Sequence, residues 1–144
     1  MAFLGLFNAR PKEEEEARTF LFRFLNDRCF HHEVAVEENR RENRSSLVMG
    51  VWIIPLIDGS PALSRAYPTV TKDFTTSGLS IVVDTPPSCK EVLVALPVNV
   101  DTVLLHCKVL YSRPIGAGFL VAGLRVLGLV PGNQYPDLSK LALQ

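Results

Sequence analysis

Apolar residues recur along the chain with two different periods, and each period predicts a different kind of secondary structure. Between residues 12 and 28 the spacing is helical, because Phe20 and Phe24 lie four positions apart and Phe22 widens the apolar stripe. The four glutamates at 13–16 come at the start of this segment, where the positive end of the helix dipole favours negative charge. The pattern therefore predicts one amphipathic helix, which needs a surface to pack on.

From residue 46 onward the period changes to two, which is typical of strands with one buried face. Residues that favour turns, such as Asp-Gly, Pro-Pro-Ser and Gly-Ala-Gly, separate most of the runs. This succession of short runs predicts a mainly β protein, either a small antiparallel barrel or a sandwich. The last ten residues, 135–144, predict a short C-terminal helix. The six predicted strands lie within residues 46–57, 64–75, 78–84, 91–96, 101–113 and 119–129.

Two of these runs predict which side chains share a face of the sheet. In the run 64–75, Val70 and Phe74 alternate with Thr71 and Asp73, which places the two pairs on opposite faces. In the run 101–113, one face carries the apolar series Val103, Leu105, Cys107, Val109 and Tyr111.

Length and composition indicate one domain with a modest extension. The chain has 144 residues, of which 47% are hydrophobic and 21% charged, enough to bury a core. We expect a helical extension and connector over residues 1–36 and the β-barrel domain over 37–144. The formal net charge of zero argues against a general nucleic-acid-binding protein, which usually carries a basic excess.

The cysteines and the hydropathy pattern indicate a cytoplasmic protein. Cys29, Cys89 and Cys107 are widely spaced and odd in number, which favours reduced thiols over a disulfide framework, with Cys107 in the core. No apolar run approaches the roughly 18–20 residues that a membrane-spanning helix needs.

No enzymatic motif stands out, so we expect neither catalysis nor a metal cofactor. His31 and His32 are adjacent, and neighbouring side chains on an extended chain point to opposite faces, so they rarely share a metal. His106 lies in the middle of a predicted strand.

The stretch EENRRENRSS, residues 37–46, concentrates arginines just before the first predicted strand. Arg40 and Arg44 have the spacing R-x-x-x-R, which lets both reach one ligand from a short segment. The planar guanidinium binds phosphate through two hydrogen bonds and stacks on purine faces. The alternative is a solvated charge run, neutralised by the neighbouring glutamates.

The stretch DFTTSG, residues 73–78, places Asp73 and Thr75 on one face at a strand end, and Gly78 permits a close backbone approach. A carboxylate accepts hydrogen bonds from the N1–H and N2–H₂ groups of guanine. The alternative is an ordinary turn, because Asp, Thr, Ser and Gly are common turn residues.

Taken together, Arg40-x-x-x-Arg44 and Asp73-x-Thr75-x-x-Gly78 resemble the two motifs of the PilZ domain family. The last strand, with Gly123 in FLVAGLRVLGL, adds to the resemblance, which covers about residues 38–130. A threonine stands at position 75 where the family more often has serine, so the hydroxyl is kept and a methyl is added.

The resemblance implies a six-stranded antiparallel β-barrel that binds the bacterial second messenger cyclic di-GMP. Arg40 and Arg44 would hold its phosphates and guanine faces, with Arg41 as an added contact. Asp73, Thr75 and Gly78 would form the barrel side of the site. The receptor would change its conformation or its contacts with an effector protein. The alternative is a PilZ-like adaptor that works through protein contacts, such as those of the phenylalanine-rich helix, and binds no nucleotide.

Overall fold

The alternating runs form strands whose buried faces meet in one core, because each run can bury only one side of its pleat. The computed structural model describes residues 12–28, 44–131, 134, 135 and 138. A 3₁₀ turn at Leu63–Arg65 precedes the fourth strand. In chain order the elements are α1 (Lys12–Arg28), β1 (Ser45–Ser46), β2 (Gly50–Ile57), β3 (Ser60–Pro61), β4 (Tyr67–Phe74), β5 (Gly78–Val83), β6 (Glu91–Val98), β7 (Asp101–Gly116) and β8 (Phe119–Val130).

Six of the strands close into a barrel, which confirms the predicted six-stranded antiparallel fold. They follow the order β4–β5–β8–β7–β6–β2, and β2 pairs again with β4 to close the sheet. The short strand β1 adds to the end of β4, where Ser45 lies opposite Phe74 and Ser46 opposite Asp73. Closure therefore brings the residues that precede β2 alongside the carboxyl end of β4.

The helix α1 packs on the barrel and shares its core. Ala17, Leu21, Phe24 and Leu25 are buried in one apolar cluster with side chains of the barrel. The ring centroids of Phe24 and Phe74 lie 5.7 Å apart, so the helix contacts the last residue of β4. This confirms the predicted amphipathic helix.

One residue of the predicted apolar stripe lies on the other side of α1. Phe22 is 54% exposed, because a residue two positions from Phe20 and Phe24 projects from roughly the opposite side of a helix. Its inclusion in the stripe was wrong.

The strict alternation predicted for the run 64–75, which contains β4, is also wrong. Thr71 and Phe74 are both buried, although three positions separate them, and Val70 is 42% exposed. The pairing of β4 with β5 shifts between Thr71 and Asp73, and a bulge of this kind changes which face the next residues use. The Thr71 hydroxyl is satisfied inside the barrel: it donates to the carbonyl of Leu47 (2.6 Å) and accepts from the N–H of Met49 (3.1 Å).

A second bulge overturns the prediction for Tyr111. Leu105 and Cys107 are buried as expected, but Tyr111 is 49% exposed. The pairing of β7 with β8 shifts between Val109 and Tyr111, so the alternation reverses and Tyr111 lies on the outer face.

The C-terminal helix predicted over 135–144 is not seen, and most of these residues lie outside the described ones. The N–H of Leu138 donates to the carbonyl of Tyr135 (3.0 Å), which forms a single turn. Leu138 is buried in a second apolar cluster with Ile54 and Leu93. The boundary predicted between residues 36 and 37 also lies outside the described residues and stays a prediction.

The thiol of Cys107 lies in the core, as expected. Complete burial raises its pKa far above the ordinary value for a thiol, because the thiolate would lose its hydration. Cys107 is therefore a packing residue. Among the described residues, no helix has the length and apolar character needed to cross a bilayer.

The shared core makes a prediction about stability. Phe24→Ala should lower the free energy of unfolding by about 3–5 kcal/mol, since it removes a buried ring from the contact with Phe74. Phe22→Ala, two positions away and exposed, should change it by less than about 0.5 kcal/mol. Urea unfolding followed by the fluorescence of Trp52 on β2 measures both variants. Equal, small effects would show that α1 is not part of the cooperative unit of the barrel.

Candidate functional site

The turn between β4 and β5 carries the second sequence motif, and its own side chains hold its shape. The N–H of Thr75 donates to the carbonyl of Gly78 (2.9 Å), and the N–H of Ser77 donates to the Thr75 hydroxyl oxygen (3.1 Å). The carbonyl of Ser77 accepts from the N–H of Val126 on β8 (2.8 Å). Thr75 therefore organises the turn, which is tied to the neighbouring strand.

Gly78 is required by a close approach between strands. It begins β5 opposite Arg125 of β8, and a Cβ added to Gly78 would overlap the carbonyl oxygen of Leu124. Any larger residue would push the turn away from β8. The expectation that this glycine permits a close backbone approach is consistent with this packing.

Asp73 is held by a serine on the adjacent strand. The Ser80 hydroxyl donates to Asp73 Oδ1 (2.9 Å), and the N–H of Asp73 lies 3.3 Å from the same hydroxyl oxygen. The second carboxylate oxygen, Oδ2, lies 3.5 Å from Nζ of the exposed Lys72. The carboxylate is thus fixed on one side by Ser80, while Oδ2 faces the ammonium group of Lys72.

Residues of the β4–β5 turn described above, from Asp73 to Ser80, contribute to the lining of a shallow cavity of about 220 Å³ on the outer face of the barrel. Arg44, which precedes β1, lines the same cavity as Asp73, Thr75 and Gly78. The structure thus brings together four of the six site residues predicted from the sequence. Arg40 and Arg41 lie outside the described residues.

The cavity also contains residues that the sequence analysis did not assign to a site. Ser77 and Ser80 lie along its floor, and Tyr111, Gly123 and Arg125 form the side contributed by β7 and β8. Ser77 lies inside the stretch DFTTSG, but no local motif marks Ser80, Tyr111 or Arg125, because only the pairing of β5, β8 and β7 brings them to one place. Gly123 was noted for its position in the last strand but was not assigned to the site. Tyr111 was missed because the predicted strand alternation placed it in the core.

Arg125 connects the cavity to α1. Its Nε and one terminal nitrogen donate to Oε2 of Glu14, at 3.1 and 2.6 Å. The Glu14 side chain is 10% exposed and that of Arg125 52% exposed, so the pair lies at the boundary between core and solvent. The acidic start of the helix, predicted on dipole grounds, therefore also supplies a partner for a cavity residue.

A second and larger cavity, of about 480 Å³, lies at the other end of β4 and β5. Its lining includes Arg65, Tyr67, Asp84, Cys89 and Phe119. Burial raises the pKa of the Tyr67 hydroxyl, with smaller contributions from Cys89 and Asp84, so Tyr67 is a neutral hydrogen-bonding group at physiological pH. The four predicted site residues that the structure describes, Arg44, Asp73, Thr75 and Gly78, do not line it.

Within the described ranges, no three His, Cys, Asp or Glu side chains are grouped in a way that suits a metal ion. The ring of His106 instead pairs with Oε1 of Glu91 on the adjacent strand (2.7 Å). His31 and His32 lie outside these ranges.

Comparison with known proteins gives a likeness in fold. No family model matches the sequence. No curated protein matches it. Among solved structures, the chain is similar to the Bacillus subtilis inhibitor of motility MotI/DgrA, with a TM-score of 0.48 and 16% identity over 69% of this chain. This chain spans about half of that protein, 47% of its length. The function proposed below therefore rests on the residues of this chain.

Proposed function

We propose that this protein is a cytoplasmic, bacterial receptor for cyclic di-GMP that has no catalytic activity of its own and changes its contacts with an effector protein when the nucleotide binds. The observation that supports this function is the cavity that Arg44 shares with Asp73, Thr75 and Gly78. Two motifs that are far apart in the sequence meet there because β1 pairs with the end of β4.

The chemistry of the cavity suits a nucleotide with guanine bases. Arg44 supplies a planar cation, which binds a phosphate through two hydrogen bonds or stacks on a base. Asp73 Oδ2 accepts hydrogen bonds, and the N1–H and N2–H₂ groups of guanine donate them. The chain has no net charge, so this local arrangement, and not a general basic surface, would provide the attraction for the anion.

Arg40 and Arg41 belong to the same proposal. In the sequence they lie four and three positions before Arg44, respectively, and we propose that they complete a clamp over the nucleotide. The Thr75 hydroxyl accepts from the N–H of Ser77 and so shapes the turn beside Asp73. Thr75 would therefore hold the shape of the turn and also offer its hydroxyl to the ligand.

A second candidate function, an adaptor that binds a protein partner and no nucleotide, is favoured by exposed apolar side chains. Phe22 projects from the outer side of α1, and Ile115 and Phe119 flank the tip of the β7–β8 hairpin, each close to half exposed. Exposed apolar groups of this size are common at protein–protein contacts.

The receptor function predicts direct binding. Isothermal titration of micromolar protein with cyclic di-GMP should give saturable heat at tens of micromolar ligand or below. Cyclic di-AMP should bind at least about tenfold more weakly, because adenine presents an acceptor at N1 where guanine presents a donor to Asp73. Absence of heat with cyclic di-GMP would refute the receptor function.

Single substitutions should weaken that binding without unfolding the barrel. Arg44→Ala should raise the Kd about tenfold to a hundredfold, the cost of one bidentate arginine contact. Asp73→Asn should raise it to a similar extent, because one acceptor becomes a donor while the acceptor for Ser80 is kept. Arg65→Ala is the matched control, since this exposed arginine lines the other cavity. Normal binding by both site variants would refute the site assignment.

The adaptor function predicts capture of a partner in the absence of nucleotide. Deleting α1 is a poor test, because the deletion would uncover the core around Leu21, Phe24 and Leu25. Phe22→Ser and Ile115→Ser keep the core intact and should each be compared with the wild-type protein in pull-downs with and without cyclic di-GMP. Loss of one captured protein in either variant, irrespective of nucleotide, would support the adaptor. Capture that depends on nucleotide would favour the receptor.

A further inference from the structure

Four residues on neighbouring strands form a row across the outer face of the barrel, from Tyr111 to Asp73. Tyr111 of β7 lies opposite Gly123 of β8, and Gly123 lies opposite Ser80 of β5. Ser80 in turn lies opposite Asp73 of β4. Three strand spacings, about 14 Å, therefore separate the backbones of Tyr111 and Asp73, and both residues line one cavity.

The two central residues of this row are small and buried, and each contacts the side chain at one end of the row. Ser80 is buried and directs its hydroxyl to Asp73. Gly123 has no side chain and lies beneath the Tyr111 ring, so closely that an added Cβ would overlap ring carbons. The ring thus lies against the backbone of β8 and leans over the floor of the cavity that Asp73 and Arg44 also line.

The outward position of Tyr111 depends on the bulge in β7. Without the shift between Val109 and Tyr111, the alternation that buries Leu105 and Cys107 would turn this ring toward the core. Bulges commonly re-aim a side chain beside a functional site. Tyr111 is 49% exposed, and the guanidinium carbon of Arg113 lies 6.0 Å from its ring centroid, at the outer limit of a cation–π contact.

We propose that Tyr111 is a ligand-binding residue, and that a purine base stacks on its ring while Asp73 accepts hydrogen bonds from the edge of the same base. This inference rests on the proposed function and adds to it the aromatic half of the base site. The ring and the carboxylate can hold one base because Gly123 lets the ring lie close against β8, Ser80 fixes Asp73, and both end residues line the same cavity. Stacking on an aromatic residue is selective for flat bases and nearly indifferent to their identity. Tyr111 would therefore supply affinity, while Asp73 supplies the preference for guanine.

The test is titration of wild-type protein and three variants of Tyr111 with cyclic di-GMP. Tyr111→Phe keeps the ring and should stay within about threefold of the wild-type Kd. Tyr111→Ala and Tyr111→Leu remove it and should weaken binding about fivefold to a hundredfold, the range expected for loss of one stacked base. Phe119→Ala is the matched control: it removes a ring of similar exposure that lines the other cavity.

The outcomes separate this inference from the function on which it rests. If the wild-type protein binds, Arg44→Ala weakens that binding and no Tyr111 variant changes it, the receptor function stands and the role of Tyr111 is overturned. Equal losses in Tyr111→Phe and Tyr111→Ala would overturn stacking, because the ring alone would then not suffice. An absence of wild-type binding would overturn both proposals. Circular dichroism of each variant shows whether the half-exposed position tolerates the change without loss of fold.

Discussion

The pairing of β2 with β4 is the interaction on which the arrangement of this molecule depends, because it closes the sheet into a barrel. Closure draws the segment before β2 across the end of β4, where β1 adds two residues to the pairing. The buried Thr71 hydroxyl supports this junction through its bonds to Leu47 and Met49. Barrel closure therefore brings Arg44 close to Asp73, without any additional structural element between them.

The helix is the second requirement of the fold. Leu21, Phe24 and Leu25 are buried together with residues of several strands, so α1 completes the core. Burial of this kind accounts for most of the stability of a small domain. The contact between Phe24 and Phe74 also means that the helix touches the strand that carries Asp73, one residue away from the site.

The strands and the helix could be predicted from the sequence because both rest on periodicity, which is a property of neighbouring positions. Periodicity left a barrel and a sandwich open, and the six-stranded barrel was implied by the resemblance of the two motifs. The bulges could not be predicted, because a bulge depends on the partner strand as well as on the strand that contains it. The prediction therefore separated Thr71 from Phe74, with which it is buried, and assigned Tyr111 to the wrong face. The sequence motifs mark four of the residues that line the cavity, Arg44, Asp73, Thr75 and Gly78. The other side of the cavity, with Tyr111 and Arg125, depends on strand order, and no local sequence motif indicates it.

The pair formed by Glu14 and Arg125 makes one side chain common to the helix and the cavity. Arg125 lines the cavity and also holds the first turn of α1, so one cation serves two equilibria. An anion that draws Arg125 toward the cavity weakens its hold on the helix. By reciprocity, a change that loosens the first turn of the helix would then alter the affinity of the cavity for such an anion by the same factor. Docking of that turn and anion binding would thus be coupled through the guanidinium that they share.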